Sequence, residues 1–237
     1  MTQTDLRQAL EASWPAASRT AFGPFVWREG AGGGNRVSAA TVQYRPDLDA
    51  LSKIERRFSA IDRDALFQLR EIDDDFDRLL EQRGYDIMDP TLCLAAPVEA
   101  FDGLDPKAAY SSWPPIAAQR DIWQAGGINP ARLDVMKRVK IPKTTLLARA
   151  HDAPAGTAFV AAFGSIAVLH ALEISPAYRR RGLARALMCH AAKWAKANNA
   201  ITLTVLVTRA NTAALELYSS LGMREADHYH YRRKGQL

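Results

Sequence analysis

The stretch Ile166–Ala195, IAVLHALEISPAYRRRGLARALMCHAAKWA, decides how the rest of the chain is read. Ile166, Val168, Leu172 and Ile174 make an apolar strand, and Pro176 ends it because proline has no N–H to give to a ladder. From Gly182 onward Leu183, Leu187, Ala191 and Trp194 recur at helical spacing, with Arg185, Lys193 and Lys196 on other faces. Gly182 and the small Ala184 allow the first amides of that helix to come close to a ligand. A helix N-terminus carries unpaired N–H groups and a partial positive charge, so it suits a phosphate. Arg179, Arg180 and Arg181 strengthen that bias. The pattern reads as a seat for a diphosphate.

The order strand, Arg179-x-x-Gly182-x-Ala184, helix resembles the acyl-CoA-binding motif of the GNAT acetyltransferase superfamily. A second segment resembles the same family: Asn211-x-x-Ala214-x-x-Leu217-Tyr218-x-x-Leu221-Gly222-Met223. The family usually has an aromatic after this glycine, so Met223 is a departure that bears on packing. The resemblance implies acetyl-CoA as acyl donor and an amine, on a small molecule or a protein, as acceptor. It also implies donor contacts from Arg179, Arg180, Arg181, Gly182, Leu183, Ala184, Asn211 and Tyr218, and from backbone groups at Leu172 and Ile174 where strands splay around a pantetheine arm.

Acyl transfer from a thioester to an amine needs a base for the amine, a donor for the oxyanion and an acid for the leaving thiolate. Tyrosines at the position of Tyr218 commonly serve the family as that acid; the alternative for Tyr218 is a core aromatic with a satisfied hydroxyl. Asn211 reads equally as a helix N-cap and as a donor contact. Glu173, between apolar Leu172 and Ile174, is turned to one side of the sheet by the pleat. It reads either as the base, acting directly or through water, or as a salt-bridged strand-end carboxylate. His170, assigned to the opposite pleat, is a weaker base. His228 and His230 share a face of the last strand without a third metal ligand, and the acidic run Asp73–Asp75 suits a helix start better than a metal.

Around this centre the chain alternates strands and helices. A helix over residues 2–13, with Thr4 as N-cap, precedes a strand at 22–28, a glycine-rich hairpin turn at 30–35 and a strand at 36–44. Helices at 48–58 and 74–82 flank a strand at 66–70, and a strand at 85–95 leads to a linker at 97–105. Helices at 114–125, with Pro114 and Pro115 in its first turn, and from Asn129 then precede strands at 144–150 and 157–163. A β-branched run at 201–207 and a last strand at 223–233 bracket the Tyr218 helix.

Aligning Gly84 with Gly222 pairs Leu80 with Tyr218 and Asp73 with Asn211, and the order of elements repeats. The first copy has Tyr44-Arg45-Pro46-Asp47 at its strand-to-helix turn, with no glycine. The expected fold class is α/β (α+β in some schemes): two GNAT-like mixed-sheet units flanked by helices. Residues 1–98 form a degenerate unit without a cofactor loop and 99–237 the catalytic one. Tandem proteins with one active half are known in the superfamily.

A chain of 237 residues, 48% hydrophobic and 24% charged, is that of an ordinary globular protein. Its net charge of +5 fits an anionic ligand such as a CoA phosphate, or RNA. A basic nucleic-acid-binding module is therefore one alternative, but no RNA-reading motif accompanies the arginines. A non-catalytic acyl-CoA sensor is the other; it would keep the turn without needing Tyr218. No apolar run reaches the roughly 20 residues of a membrane span, and residues 2–14 lack a signal peptide's apolar core. Cys93 and Cys189 have no metal-ligand spacing and read as buried thiols. These features lead to an expectation of a cytoplasmic monomer or homodimer that binds neither a metal, a membrane nor nucleic acid.

Overall fold

The computed structural model describes residues 2–103 and 109–235. In chain order the elements are α1 (Gln3–Ser13), β1 (Ser18–Phe22), β2 (Phe25–Glu29), α2 (Asn35–Ser38), β3 (Ala40–Val42), α3 (Leu48–Ser59), β4 (Ala65–Leu69), α4 (Asp74–Gln82) and β5 (Asp86–Pro97). There follow β6 (Ala109–Ser112), α5 (Ala117–Ala125), α6 (Pro130–Arg138), β7 (Lys143–Ala150), β8 (Ala153–Phe163), β9 (Ile166–Ile174), α7 (Leu183–Ala197), β10 (Thr202–Thr208), α8 (Thr212–Ser220) and β11 (Arg224–Lys234).

Several boundaries differ from expectation for local reasons. Thr2, not Thr4, caps α1: its hydroxyl accepts from the Asp5 amide while the Asp5 carboxylate accepts from the Thr2 amide, each at 3.1 Å. The strand expected at 22–28 is a hairpin, β1 and β2, turning at Gly23 with φ +56°. The segment after Glu29 is not a tight hairpin turn but carries α2, although β2 and β3 do pair antiparallel beyond it. Pro114 and Pro115 stand before α5; its start is closed by Gln119, whose Oε1 accepts from the Ile116 amide at 3.0 Å. The expected linker packs: Val98 and Phe101 are buried, and the Val98 amide donates to the Ile201 carbonyl. Its last residues, 104 and 105, lie outside the described residues.

The chain divides into two units, and the division is not a cut at residue 98. The larger unit takes the chain up to Pro15, Cys93–Val207 and Asn211–Asp227; the smaller takes Ala16–Leu92, Thr208–Ala210 and the chain from His228. In the larger unit the strand order is β6-β7-β8-β9-β10, antiparallel up to β9. β9 and β10 are parallel, joined through α7, and buried on both faces as parallel strands are. α1 packs on β8 and β9, where Leu6, Ala9 and Leu10 meet Ile166, Val168 and Cys93; α7 packs on β7, β8 and β9.

The smaller unit repeats part of that plan. β3 and β4 are parallel and joined through α3, and α4 follows as α8 follows β10. The ends of α4 and α8 are built alike. Gly84 and Gly222 have φ +77° and +76°, and the next amides, of Tyr85 and Met223, donate to the carbonyls of Leu80 and Tyr218 at 3.0 and 3.1 Å. β4 pairs antiparallel with β11, from His230↔Leu69 to Lys234↔Ala65. Phe25, Phe58, Phe67 and Phe76 form the aromatic core of this unit. The buried Arg232 is held by Asp77, Nε to Oδ1 at 2.6 Å. His230 also meets Asp77 at 2.9 Å, which gives that histidine a structural partner. Burial alone would push the Asp77 carboxyl up, but its bonds from Arg232 and His230 hold it below the usual range.

Candidate active site

The site begins with an irregularity in β9. On β8, Thr157 pairs with Glu173 while Phe159 pairs with His170, so β9 carries one residue more than its partner. Ala171 sits at this bulge with φ +51°, a conformation unfavourable to a side chain. What holds it there is Trp123 of α5, wholly buried, whose indole N–H donates to the Ala171 carbonyl at 2.7 Å. In the sequence Trp123 is an apolar residue of the helix expected at 114–125, and nothing in the spacing announces this bond.

The bulge has two consequences. Thr157 and Phe159 are two apart and share a face, so their partners Glu173 and His170 share one too. The expectation that His170 points opposite to Glu173 is therefore corrected: the extra residue resets the alternation. Gly126, at the end of α5, lies directly over Glu173, and a Cβ there would come within 2.6 Å of its Cγ. His170 is a core residue, bonded through Nε2 to Ser13 Oγ at 2.9 Å and packed against Trp14 and Phe159. The second consequence is a gap. The β9–β10 register runs from Ile166↔Thr202 to Leu169↔Val205, while the strands continue to Ile174 and Thr208.

A cleft of about 740 Å³ opens along the end of β9 that β10 does not pair, lined by Leu172, Glu173 and Ile174 on one side and by α8 residues including Tyr218 on the other. The start of α7 also lines it. Gly182 is the N-cap at φ +78°, with no side-chain bond closing the helix and no acidic residue in its first turn. A Cβ at Gly182 would meet nothing within 4 Å. The amides of Leu183 and Ala184 thus sit at an open, cationic helix end, with Arg180 at the rim in a positive-φ conformation, +62°. Arg185, which helical spacing places off the apolar face, reaches across to α8 and donates to Ser220 Oγ at 2.9 Å.

The equivalent helix end in the smaller unit is closed. Asp47 caps α3, its carboxylate accepting from the Ala50 amide at 2.8 Å, and Asp49 adds a second negative charge in the first turn. A carboxylate already occupies the position that an anionic ligand would need.

The other expected site residues fall as follows. Tyr218 is 6% exposed, and burial without a charged partner pushes its hydroxyl up to about 12, so it carries its proton at neutral pH. Asn211 is the N-cap of α8, Oδ1 accepting from the Ala214 amide at 3.2 Å, and it also lines the cleft. Glu173 is partly buried and paired with Arg179, Nη2 to Oε1 at 3.2 Å. Arg179 also donates from Nε to the Ile174 carbonyl at 3.1 Å. Arg181 stacks over the Tyr178 ring at 5.5 Å and is not among the residues lining the cleft. Leu172, Ile174, Arg179, Arg180, Gly182, Leu183, Ala184, Asn211 and Tyr218 are brought together; Arg181 is beside them, not with them.

Residues 110–223 match the Acetyltransferase (GNAT) family. The whole chain superposes on a GCN5-related N-acetyltransferase from Kribbella flavida with a TM-score of 0.75 at 18% identity, covering 100% of this chain and 97% of that one. A putative GNAT-family acetyltransferase from Novosphingobium aromaticivorans gives 0.62 at 16% identity, covering 98% and 99%. A tandem GNAT protein from the clavulanic acid biosynthesis pathway gives 0.63 at 13%, covering 99% and 88%. At such identities the likeness is one of fold. No curated protein matches the chain.

Proposed function

We propose that this chain, whose residues 110–223 match the Acetyltransferase (GNAT) family, is an acyltransferase that moves an acetyl group from acetyl-CoA to a primary amine by direct attack in a ternary complex. The observation that carries this reading is the α7 start: an N-cap glycine with no side-chain cap and open space at its Cβ position, in the same cleft as a buried, protonated tyrosine. An anionic donor fits there, because the helix amides, Arg180 and Arg185 supply positive charge and nothing fills the approach to Gly182.

In this reading the amides of Leu183 and Ala184 hold the diphosphate and the backbone of Leu172 and Ile174 aligns the arm that carries the thioester. Asn211 contacts the donor through its free amide nitrogen. Acetyl-CoA supplies the activated acyl group. Tyr218 gives its proton to the departing sulfur, and the high proton affinity of its hydroxyl keeps it in the donating form across neutral pH. Glu173, on the α5 side of the sheet, accepts the amine proton directly or through water. The acceptor is a small molecule or a protein amine entering past α5 and α6 and the segment from Trp113 to Val139. The smaller unit, with Asp47 closing its helix end, serves as a scaffold copy without a donor seat. The protein works in the cytoplasm, as a monomer or homodimer.

Calorimetry with CoA tests the donor seat and a thiol-release screen across amines tests the reaction. The expected results are saturable CoA binding and free thiol formed only when an amine is present. Absence of CoA binding would sink the reading.

A further inference from the structure

Arg179 holds two groups that the proposed reaction requires. Its Nε takes the Ile174 carbonyl at 3.1 Å, on the strand end that would align the donor's arm, and its Nη2 takes Glu173 Oε1 at 3.2 Å, the carboxylate assigned as base. The Arg179 side chain is just over half exposed, while Glu173 packs closely against Gly126. The Arg179 amide is itself committed, donating to the Pro176 carbonyl at 3.3 Å. Two anions would compete for one half-exposed guanidinium: the carboxylate present now, and a diphosphate at the start of α7, three residues along the chain.

We propose that Arg179 is a latch that couples donor binding to release of the base. Without a donor its guanidinium neutralises Glu173 and covers the Ile174 carbonyl. With a diphosphate at the α7 amides it turns to that doubly charged group, which offers it more oxygens and more charge than the carboxylate. Glu173 is thereby freed to accept a proton, and the strand end is uncovered, only once the donor is in place. An amine arriving first meets a carboxylate whose charge is neutralised by Arg179 and whose Oε1 is engaged. Arg179 is in this account a positioning residue acting through Glu173, and the inference rests on the donor seat proposed above.

The competition makes a prediction about binding alone. Removing the carboxylate's charge removes Arg179's alternative partner, so Glu173→Gln should bind CoA more tightly, by about three- to five-fold, the worth of a solvent-screened ion pair. The gain should vanish in an Arg179→Gln background, because no guanidinium is left to compete for. Gln fits the space under Gly126 as Glu does, and thermal melts of all three variants verify that they fold. Calorimetry with CoA, without any acceptor, reads the result. Unchanged or weakened affinity in folded Glu173→Gln, or a gain that persists without Arg179, would overturn the latch while leaving the donor seat intact. Failure of the wild type to bind CoA would instead remove the seat and the latch together.

Discussion

Gly182 and Gly126 are glycines for opposite reasons. At Gly182 a Cβ would find empty space but a left-handed backbone, φ +78°; at Gly126 it would run into Glu173. Gly182→Trp therefore places an indole in the mouth of the cleft at a backbone cost of about 1–2 kcal/mol. The expected outcome is loss of CoA binding by calorimetry with the cooperative melt retained; preserved affinity would refute the seat. Tyr218 yields a second residue-scale prediction. Tyr218→Phe should lower the rate of thiol release by roughly 100-fold, and a rate indistinguishable from wild type would refute the acid role. The same tyrosine leaves a mark on stability. Its hydroxyl titrates near 10 in an unfolded chain and at about 12 when folded. Its contribution is therefore complete below pH 10 and is lost as pH rises from 10 toward 12. Urea melts at pH 9 and pH 11 should show a smaller loss in Tyr218→Phe than in wild type.

Among the elements, those with strong periodicity and marked ends were readable: β9, α7, α4 and α8 lie where apolar spacing, Asn211 and the terminal glycines put them. What escaped was the bulge in β9. A bulge that places a residue at positive φ is signalled by glycine, and the residue here is Ala171, kept there by a tryptophan 48 positions away. A one-residue insertion then reverses every later side chain, which is why Glu173 and His170 were assigned to opposite faces. The bond that keeps the bulge can be tested. Trp123→Phe retains a large ring but removes the indole donor from the Ala171 carbonyl in a half-buried setting, at about 1 kcal/mol. Urea unfolding should show that loss, accompanied by weaker CoA binding because Leu172–Ile174 is no longer held at the cleft edge. Wild-type stability in the variant would mean the bulge keeps its shape without the indole.

At the scale of the molecule, the repeated order of elements was legible, but the partition of the chain was not. Sequence patterns show which face of α1 is apolar; they do not show that this face belongs with strands more than 150 residues later. Leu6, Ala9 and Leu10 are at most 5% exposed because they pack on Ile166 and Val168, and Ser13 completes the bond to His170. The last strand shows the same exchange in reverse, its residues from His228 onward belonging with β4. A fragment cut at residue 98 therefore does not isolate a unit. Residues 99–237 alone lack α1 and the Cys93–Pro97 part of β5, which leaves the α1-facing side of β9 in water at about 1.5–3 kcal/mol for each large apolar side chain re-exposed. Against a stability of some 5–15 kcal/mol, uncovering several such side chains suffices to unfold the domain. Circular dichroism of that fragment should show no cooperative melt, and adding residues 2–15 as a separate peptide should restore part of one. A fragment that melts cooperatively at the temperature of the whole chain would show that residues 99–237 need no contribution from the N-terminal helix.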